Sequence, residues 1–326
     1  MELHLNYTPP LSPVKITHAD KIVLIGSCFA DNTGEKFLDS KFQALVNPNG
    51  ILFNPVSIAT ALHSYIQPKT RNSKPETSRG LFVSFDHHGS FSSTTKKELE
   101  QKINSSRKQA HQFLKEAKFL IITFGSAFAY RHLKTNSIVA NCHKLPQQDF
   151  KKELLPVETI VEEYTKLIAY LKKMNPALNI IFTVSPVKYL RDGIIENNIS
   201  KSTLLLAINL LRTTNQQLPT FYFPAFELVN DDLRDYRFYK EDMAHPNEQA
   251  INYVWKKFTD CYFNDDTKKL NYKIKEVTLA LNHRPFKANS KKYFEFRDTI
   301  LKKCTELENS YPFLNFSEEK EQLINQ

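Results

Sequence analysis

Short apolar runs of strand length alternate with stretches of helical period along most of this chain. Lys21-Ile-Val-Leu-Ile25 is rich in β-branched residues and is stopped by Gly26, which predicts a buried strand. Helical spacing follows at once. Phe29, Thr33, Phe37 and Leu38 share one face, with Asp31, Asn32 and Glu35 in the first two turns, where acidic and polar groups suit the helix dipole. The same reading predicts strands at 42–46, 81–85, 119–124, 137–140, 179–184 and near 220–223. It predicts helices over about 56–66, 96–115, 157–173 and 201–212, and after Pro246 through about 259. The run at 119–124 is the central strand, ending in Gly125-Ser126 as the first ends in Gly26-Ser27. Such alternation predicts an α/β fold with a parallel, doubly wound sheet. The first 20 residues read as a polar, proline-bearing lead-in. Beyond 264 the strands stop and 293–310 reads as one or two helices, so the expected division is a main domain over 1–264 and a mainly helical C-terminal appendage over 265–326 packed on it.

Composition narrows the class. With 326 residues and 41% apolar content the chain can bury a large core. The start lacks a secretory signal and no stretch has the apolar length of a membrane span, so a cytoplasmic protein without membrane attachment is expected. Cys28, Cys142, Cys261 and Cys304 form no CxxC pair, which points to reduced thiols and away from structural zinc. The net charge of +9 suggests nucleic acid, but the lysines fall in scattered pairs beside acids. Solvated helix faces explain that pattern better, and a nucleic-acid partner is not favoured. GxSxG, a P-loop and GxGxxG in strand-helix context are absent, which argues against an α/β-hydrolase elbow, an NTPase and a Rossmann dehydrogenase.

Two local patterns carry candidate chemistry. Ser27 sits where a strand turns into a helix, at the sheet edge where open α/β folds bind ligands and where a helix start offers unpaired N–H groups. Alone, that serine reads as a helix cap. Asp242-x-x-His245 places a carboxylate three residues before an imidazole, close enough to fix its tautomer and leave the other nitrogen free to take a proton. Cys28 is expected to point into the sheet as a small hydrophobe. Asp86-His87-His88 and His143 have metal-ligand chemistry, yet adjacent histidines on an extended segment face opposite ways, so a pocket-lining or loop-bonding role is expected and no metal.

Gly26-Ser-Cys-Phe-Ala30 resembles the signature of the GSCFA family, bacterial proteins grouped with SGNH or GDSL-like hydrolases. Further blocks agree in order: Asn49-Gly50 with Phe53-Asn-Pro55, Asp86-His87-His88, Thr123-Phe-Gly-Ser-Ala127, Asn141-Cys-His-Lys144, Ser185-Pro-Val187, Asp242-Met-Ala-His245-Pro246 and His283-Arg-Pro-Phe286. The resemblance spans nearly the whole chain. It implies a flavodoxin-like three-layer (SGNH) sandwich with a central, mostly parallel sheet, and an esterase-type site with no cofactor. Ser27 resembles the nucleophile and Asp242 and His245 the activating dyad. The N–H groups of Ser27 and Gly50 resemble the backbone part of an oxyanion hole, and Asn49, His87, His88, Gly125, Ser126 and His143 would line the pocket. One block departs. Where SGNH enzymes carry a GxND asparagine this chain reads Gly125-Ser126-Ala127, so either Ser126 lies nearby without that role or Asn141 supplies the amide. Arg284 reads as a clamp for the appendage. The implied activity is a serine esterase or acyltransferase acting on O-acyl groups, O-acetyl among them, of a small-molecule or carbohydrate-like ester. The alternative is a non-catalytic binding protein on the same scaffold.

Overall fold

Five parallel strands form the central sheet: β1 (Lys21–Gly26), β2 (Gln43–Val46), β3 (Phe119–Phe124), β4 (Asn179–Val184) and β5 (Thr220–Tyr222), in the order β5-β4-β3-β1-β2. This computed structural model describes residues 5–67, 74–214, 217–281 and 290–325. β1 to β4 coincide with expected strands to within a residue or so. They read as unbroken apolar runs because both faces of the sheet are covered. On one face Ile25, Ile122, Phe124, Phe182 and Val184 meet helices α2 (Pro55–Ile66), α3 (Lys96–Glu116), α4 (Val157–Met174) and α5 (Ile194–Thr214). On the other, Ile22, Leu24, Ile121 and Ile181 pack against α1 (Cys28–Asp39) and α6 (Glu248–Tyr262). The result is a three-layer α/β sandwich with flavodoxin-like strand order. In that order the crevice opens between the carboxyl ends of β1 and β3, and Ser27 and Gly125 stand directly after those two strands.

Several local expectations change. Leu38 is 47% exposed, because the buried stripe of α1 is narrower than drawn: Phe29, Gly34 and Phe37 carry it, with Gly34 pressed so closely on Val46 that a Cβ would come within 2.5 Å of its methyls. α5 begins seven residues early, since Ile194 and Ile195 are exposed and give no amphipathic signal. Residues Phe128–His132, Ser137–Val139 and Phe150–Leu154 form a separate antiparallel sheet with Phe128–His132 in the middle, and of these only the edge strand Ser137–Val139 matches an expected strand. The lead-in is tied down, with Ser12 N–H donating to Cys261 O and Ile16 N–H to Tyr262 O.

After α6 come α7 (Asp265–Leu281), α8 (Lys291–Ser310) and α9 (Ser317–Asn325), which share a core of their own around Ile274, Cys304, Leu307 and Phe316. α7 falls within the stretch 265–326 expected to be mainly helical, ahead of the helix given bounds there at 293–310. An ion pair between Lys41 and Glu319 and the stacking of Phe313 on His18 join this unit to the sandwich. Residues 283–286, with Arg284, lie outside the described residues. Among the described residues no helix is long and apolar enough to cross a membrane.

Candidate active site

The turn after β1 is built by glycine and asparagine. Gly26 has φ +144°, and a Cβ there would lie 2.1 Å from Thr123 O on β3, so no other residue fits. Its N–H donates to Asn47 Oδ1 at 2.7 Å, and Asn47 Nδ2 donates onward to Asp31 on α1. Asn47 itself holds φ +41°. Replacing Asn47 by alanine strands a buried N–H and keeps the strained backbone without its compensating bonds. We expect a loss of roughly 2–3 kcal/mol in urea unfolding.

Ser27 caps α1: its Oγ accepts from Phe29 N–H at 3.3 Å, and the residue is 1% exposed. The cap is a weak, long bond in which the hydroxyl acts as acceptor, so its own proton remains to be given. His245 is carried by the loop before α6. Its Nδ1 lies 2.6 Å from Asp242 Oδ2, while Asp242 Oδ1 accepts the N–H groups of His245 and Ala244 at 2.9 and 3.0 Å. Those bonds, the backbone N–H of His245 first, hold the Asp242 carboxyl down at about 2. A carboxylate fixed on Nδ1 leaves Nε2 as the free nitrogen. The loop is anchored from the β4 side, where Lys188 N–H donates to Ala244 O at 3.0 Å.

Ser27 and His245 line one cavity of about 730 Å³, together with Cys28, Gly125, Ser126, Asn141, Ser185 and the inner face of the small antiparallel sheet. Cys28 faces this space, half-buried, and does not point into the sheet as expected; burial and then Asp31 push its thiol pKa up, so it stays protonated.

The expected oxyanion donors are placed differently. Ser27 N–H donates to Thr123 O at 3.1 Å, and Gly50 N–H donates to Asn47 O at 2.7 Å. Gly50 lies off the cavity: at φ +72° its open side meets His88, whose Cβ would stand 2.4 Å from an added Cβ. The glycine is there for a turn and a close contact between loops. Asn49, His87, His88 and His143 also lie off the cavity lining. Asn49 accepts from Tyr65 OH at 2.8 Å, and its carbonyl accepts from His88 N–H. His87 Nδ1 contacts Ser84 Oγ at 2.8 Å and His143 Nε2 contacts Ser84 O at 2.7 Å; burial drives His87 down to about 4. These groups lock the 47–53 loop to the 84–91 loop behind the site. Among the described residues no three His, Cys, Asp or Glu side chains are grouped to hold a metal.

Ser126, expected near the site without the GxND role, is committed elsewhere, its Oγ accepting from Phe128 N–H at 3.0 Å and lying 3.2 Å from Ser200 Oγ. Asn141 lines the cavity with Oδ1 held by His143 N–H at 2.7 Å, which orients the amide.

Lys201, in the second turn of α5, was not anticipated. It is 2% exposed, and its Nζ donates to Gly125 O and Ser185 O, each at 2.7 Å. It therefore ties together the loops that leave β3 and β4, both of which wall the cavity. Burial lowers its pKa to about 7. The signal was available: Lys201 shares a helical face with Leu204, Ile208 and Leu211, all buried.

At the level of sequence, no match was found among curated proteins. Among solved structures, a family two carbohydrate esterase from Clostridium thermocellum in complex with cellohexaose is 13% identical at a TM-score of 0.37, covering 78% of this chain and 65% of that one. A carbohydrate esterase family 3 protein from Talaromyces cellulolyticus is 11% identical at 0.34, covering 79% and 99%. The acetyl xylan esterase Est2A from Butyrivibrio proteoclasticus is 11% identical at 0.36, covering 76% and 64%. The likeness is distant, and this chain spans just under two thirds of the length of the first and third. Family-level agreement is much broader: residues 21–258 match the GSCFA family and residues 274–326 the C-terminal domain of GSCFA domain proteins, so the chain belongs to the GSCFA family.

Proposed function

We propose that this protein is a serine esterase or O-acyltransferase of SGNH type, acting on an O-acyl group of a carbohydrate-like substrate, with residues 1–264 as the catalytic unit and 265–326 as its extension. The observation that supports the reading is that Ser27 and His245, far apart in sequence, line one cavity, with Asp242 bonded to the histidine.

In this mechanism His245 Nε2 takes the Ser27 hydroxyl proton as Oγ bonds to the ester carbonyl carbon, and Asp242 steadies the imidazolium. The C–O bond to the alcohol then breaks, and the alcohol leaves with the proton from His245. Water, or an acceptor hydroxyl, repeats the attack on the acyl-serine and releases the acid or the new ester. With the Ser27 and Gly50 N–H groups engaged, the negative oxygen falls to the Cys28 N–H, which a first-turn position leaves without an intrahelical partner, and to the Asn141 amide. One such donor is worth roughly 2.7–4 kcal/mol of transition-state stabilisation.

A fluorophosphonate probe tests the reading. Labelling confined to Ser27 and suppressed by His245→Ala is the expected result; labelling that ignores the histidine sinks it. A non-catalytic binding protein is the second reading, favoured by the occupied N–H groups of Ser27 and Gly50, and it predicts no labelling at all.

A further inference from the structure

The cavity has one sign of charge. Lys144, Lys188 and Arg191 line it, and no Asp or Glu does, although the chain as a whole holds 44 basic and 35 acidic residues. Three nearby acids are already engaged: Asp192, next to Arg191, is paired with Lys152, Glu153 holds Arg131, and Asp242 is bonded to His245. Among the described residues Lys144, Lys188 and Arg191 form no ion pair. Lys188 lies over the rings of Tyr236 and Tyr239, at 4.3 and 3.9 Å, and also borders a shallower hollow with Asp231 and with Asp235, the latter paired to Arg237. Tyr130 and Tyr189 add two hydroxyls beside Arg191. Burial, and then the Tyr130 hydroxyl, push Tyr189 up to about 12, so it stays a neutral donor.

Cations gathered in a partly enclosed cleft focus a positive potential on whatever enters it. A guanidinium flanked by phenol hydroxyls offers the forked donors that carboxylate and phosphate oxygens accept. Lys144 and Arg191 stand exposed at the rim and Lys188 is half-buried, so a neutral acylated sugar would leave these charges to solvent, while an anionic one would pair with them. We propose that the ester presented to Ser27 carries an anionic group, a sugar carboxylate or phosphate, held by Arg191 and Lys144 with Lys188, Tyr130 and Tyr189. This rests on the esterase reading of the cavity.

The test uses the full chain and mono-acetylated methyl glucuronoside, glucose 6-phosphate and methyl glucoside, matched in acetyl position. We expect kcat/KM for an anionic ester to exceed that for the neutral one by about tenfold or more at low salt, and the ratio to fall by about tenfold in the Arg191→Gln, Lys144→Gln double variant. A preference for the glucuronoside assigns a carboxylate, and one for the sugar phosphate assigns a phosphate. Equal kcat/KM values, or a ratio untouched by the double variant, overturn the proposal. If no ester is cleaved, the esterase reading fails separately. Calorimetry with glucuronate, glucose 6-phosphate and glucose then decides the anion site: about tenfold tighter binding of an anion supports it, and equal affinities overturn it.

Discussion

Replacing Ser27 by alanine is expected to lower kcat on a small acyl ester such as p-nitrophenyl acetate by roughly 10³- to 10⁶-fold, the range that follows loss of a serine nucleophile elsewhere. The fold should survive. Ser27 Oγ makes one structural bond, the 3.3 Å cap on Phe29 N–H, and loss of such a cap costs about 1 kcal/mol. The space vacated is a single oxygen at the buried end of a cavity. Kinetics and a thermal melt on the same preparation separate chemistry from stability. Undiminished turnover in a folded Ser27→Ala protein would remove Ser27 from the mechanism, whatever the cavity contains.

Lys201→Met is expected to have the second large effect, and it acts on both stability and rate. Methionine matches the length of the lysine stem but cannot donate, so Gly125 O and Ser185 O lose the Nζ bonds of 2.7 Å that join them. An unsatisfied buried group costs roughly 1–3 kcal/mol, which makes a total of roughly 2–4 kcal/mol reasonable when the ammonium's own burial cost is subtracted. The loops these carbonyls belong to carry Gly125 and Ser185 into the cavity. A Cβ on Gly125 would stand 3.1 Å from that of Ser27, so slack in this loop reaches Ser27, and on the proposed mechanism kcat should fall with stability.

The pH dependence has a definite sign. The folded-state pKa of Lys201 is lowered by burial to about 7, against about 10.4 in an unfolded chain. Between those values the unfolded state binds the extra proton, so wild-type stability rises with pH across that window. Below about 7 both states are protonated and the full cost of burying the charge is present. A neutral amine still has two N–H groups for the two carbonyls. The deficit of Lys201→Met relative to wild type should therefore grow from pH 6 to pH 9 in urea titrations. An equal deficit at both pH values would mean that the buried lysine does not titrate in this range.

Much of the architecture could be read from the chain because each signal is local. A strand covered on both faces has to be apolar throughout, and β1, β3 and β4 show it. Asp242 and His245 are three residues apart, so their contact is a property of one turn, and the 2.6 Å distance follows from local geometry. The turn at Gly26-Ser27 is similar, although the reason for the glycine, its contact with Thr123 O, lies on another strand. The parts that could not be read depend on neighbours distant in sequence. Gly50 suits an oxyanion hole as well as it suits a loop contact until the place of His88 is known. A free N–H and one bound to a carbonyl look the same in sequence, so the engagement of Ser27 N–H with Thr123 O had no trace there.

The sequence by itself determined the alternating sandwich, the strand-to-helix turn that presents Ser27 and the Asp242–His245 pair, since all three follow from periodicity and from contacts within a few residues. Only the tertiary structure decided that His245 shares a cavity with Ser27, that Lys201 is buried between Gly125 and Ser185, and that Lys144, Lys188 and Arg191 line that cavity without a carboxylate. The physical reason is that charge and hydrogen bonding act through space. A lysine's surroundings, and the partner of every N–H at the carboxyl edge of the sheet, are fixed when separate loops pack together.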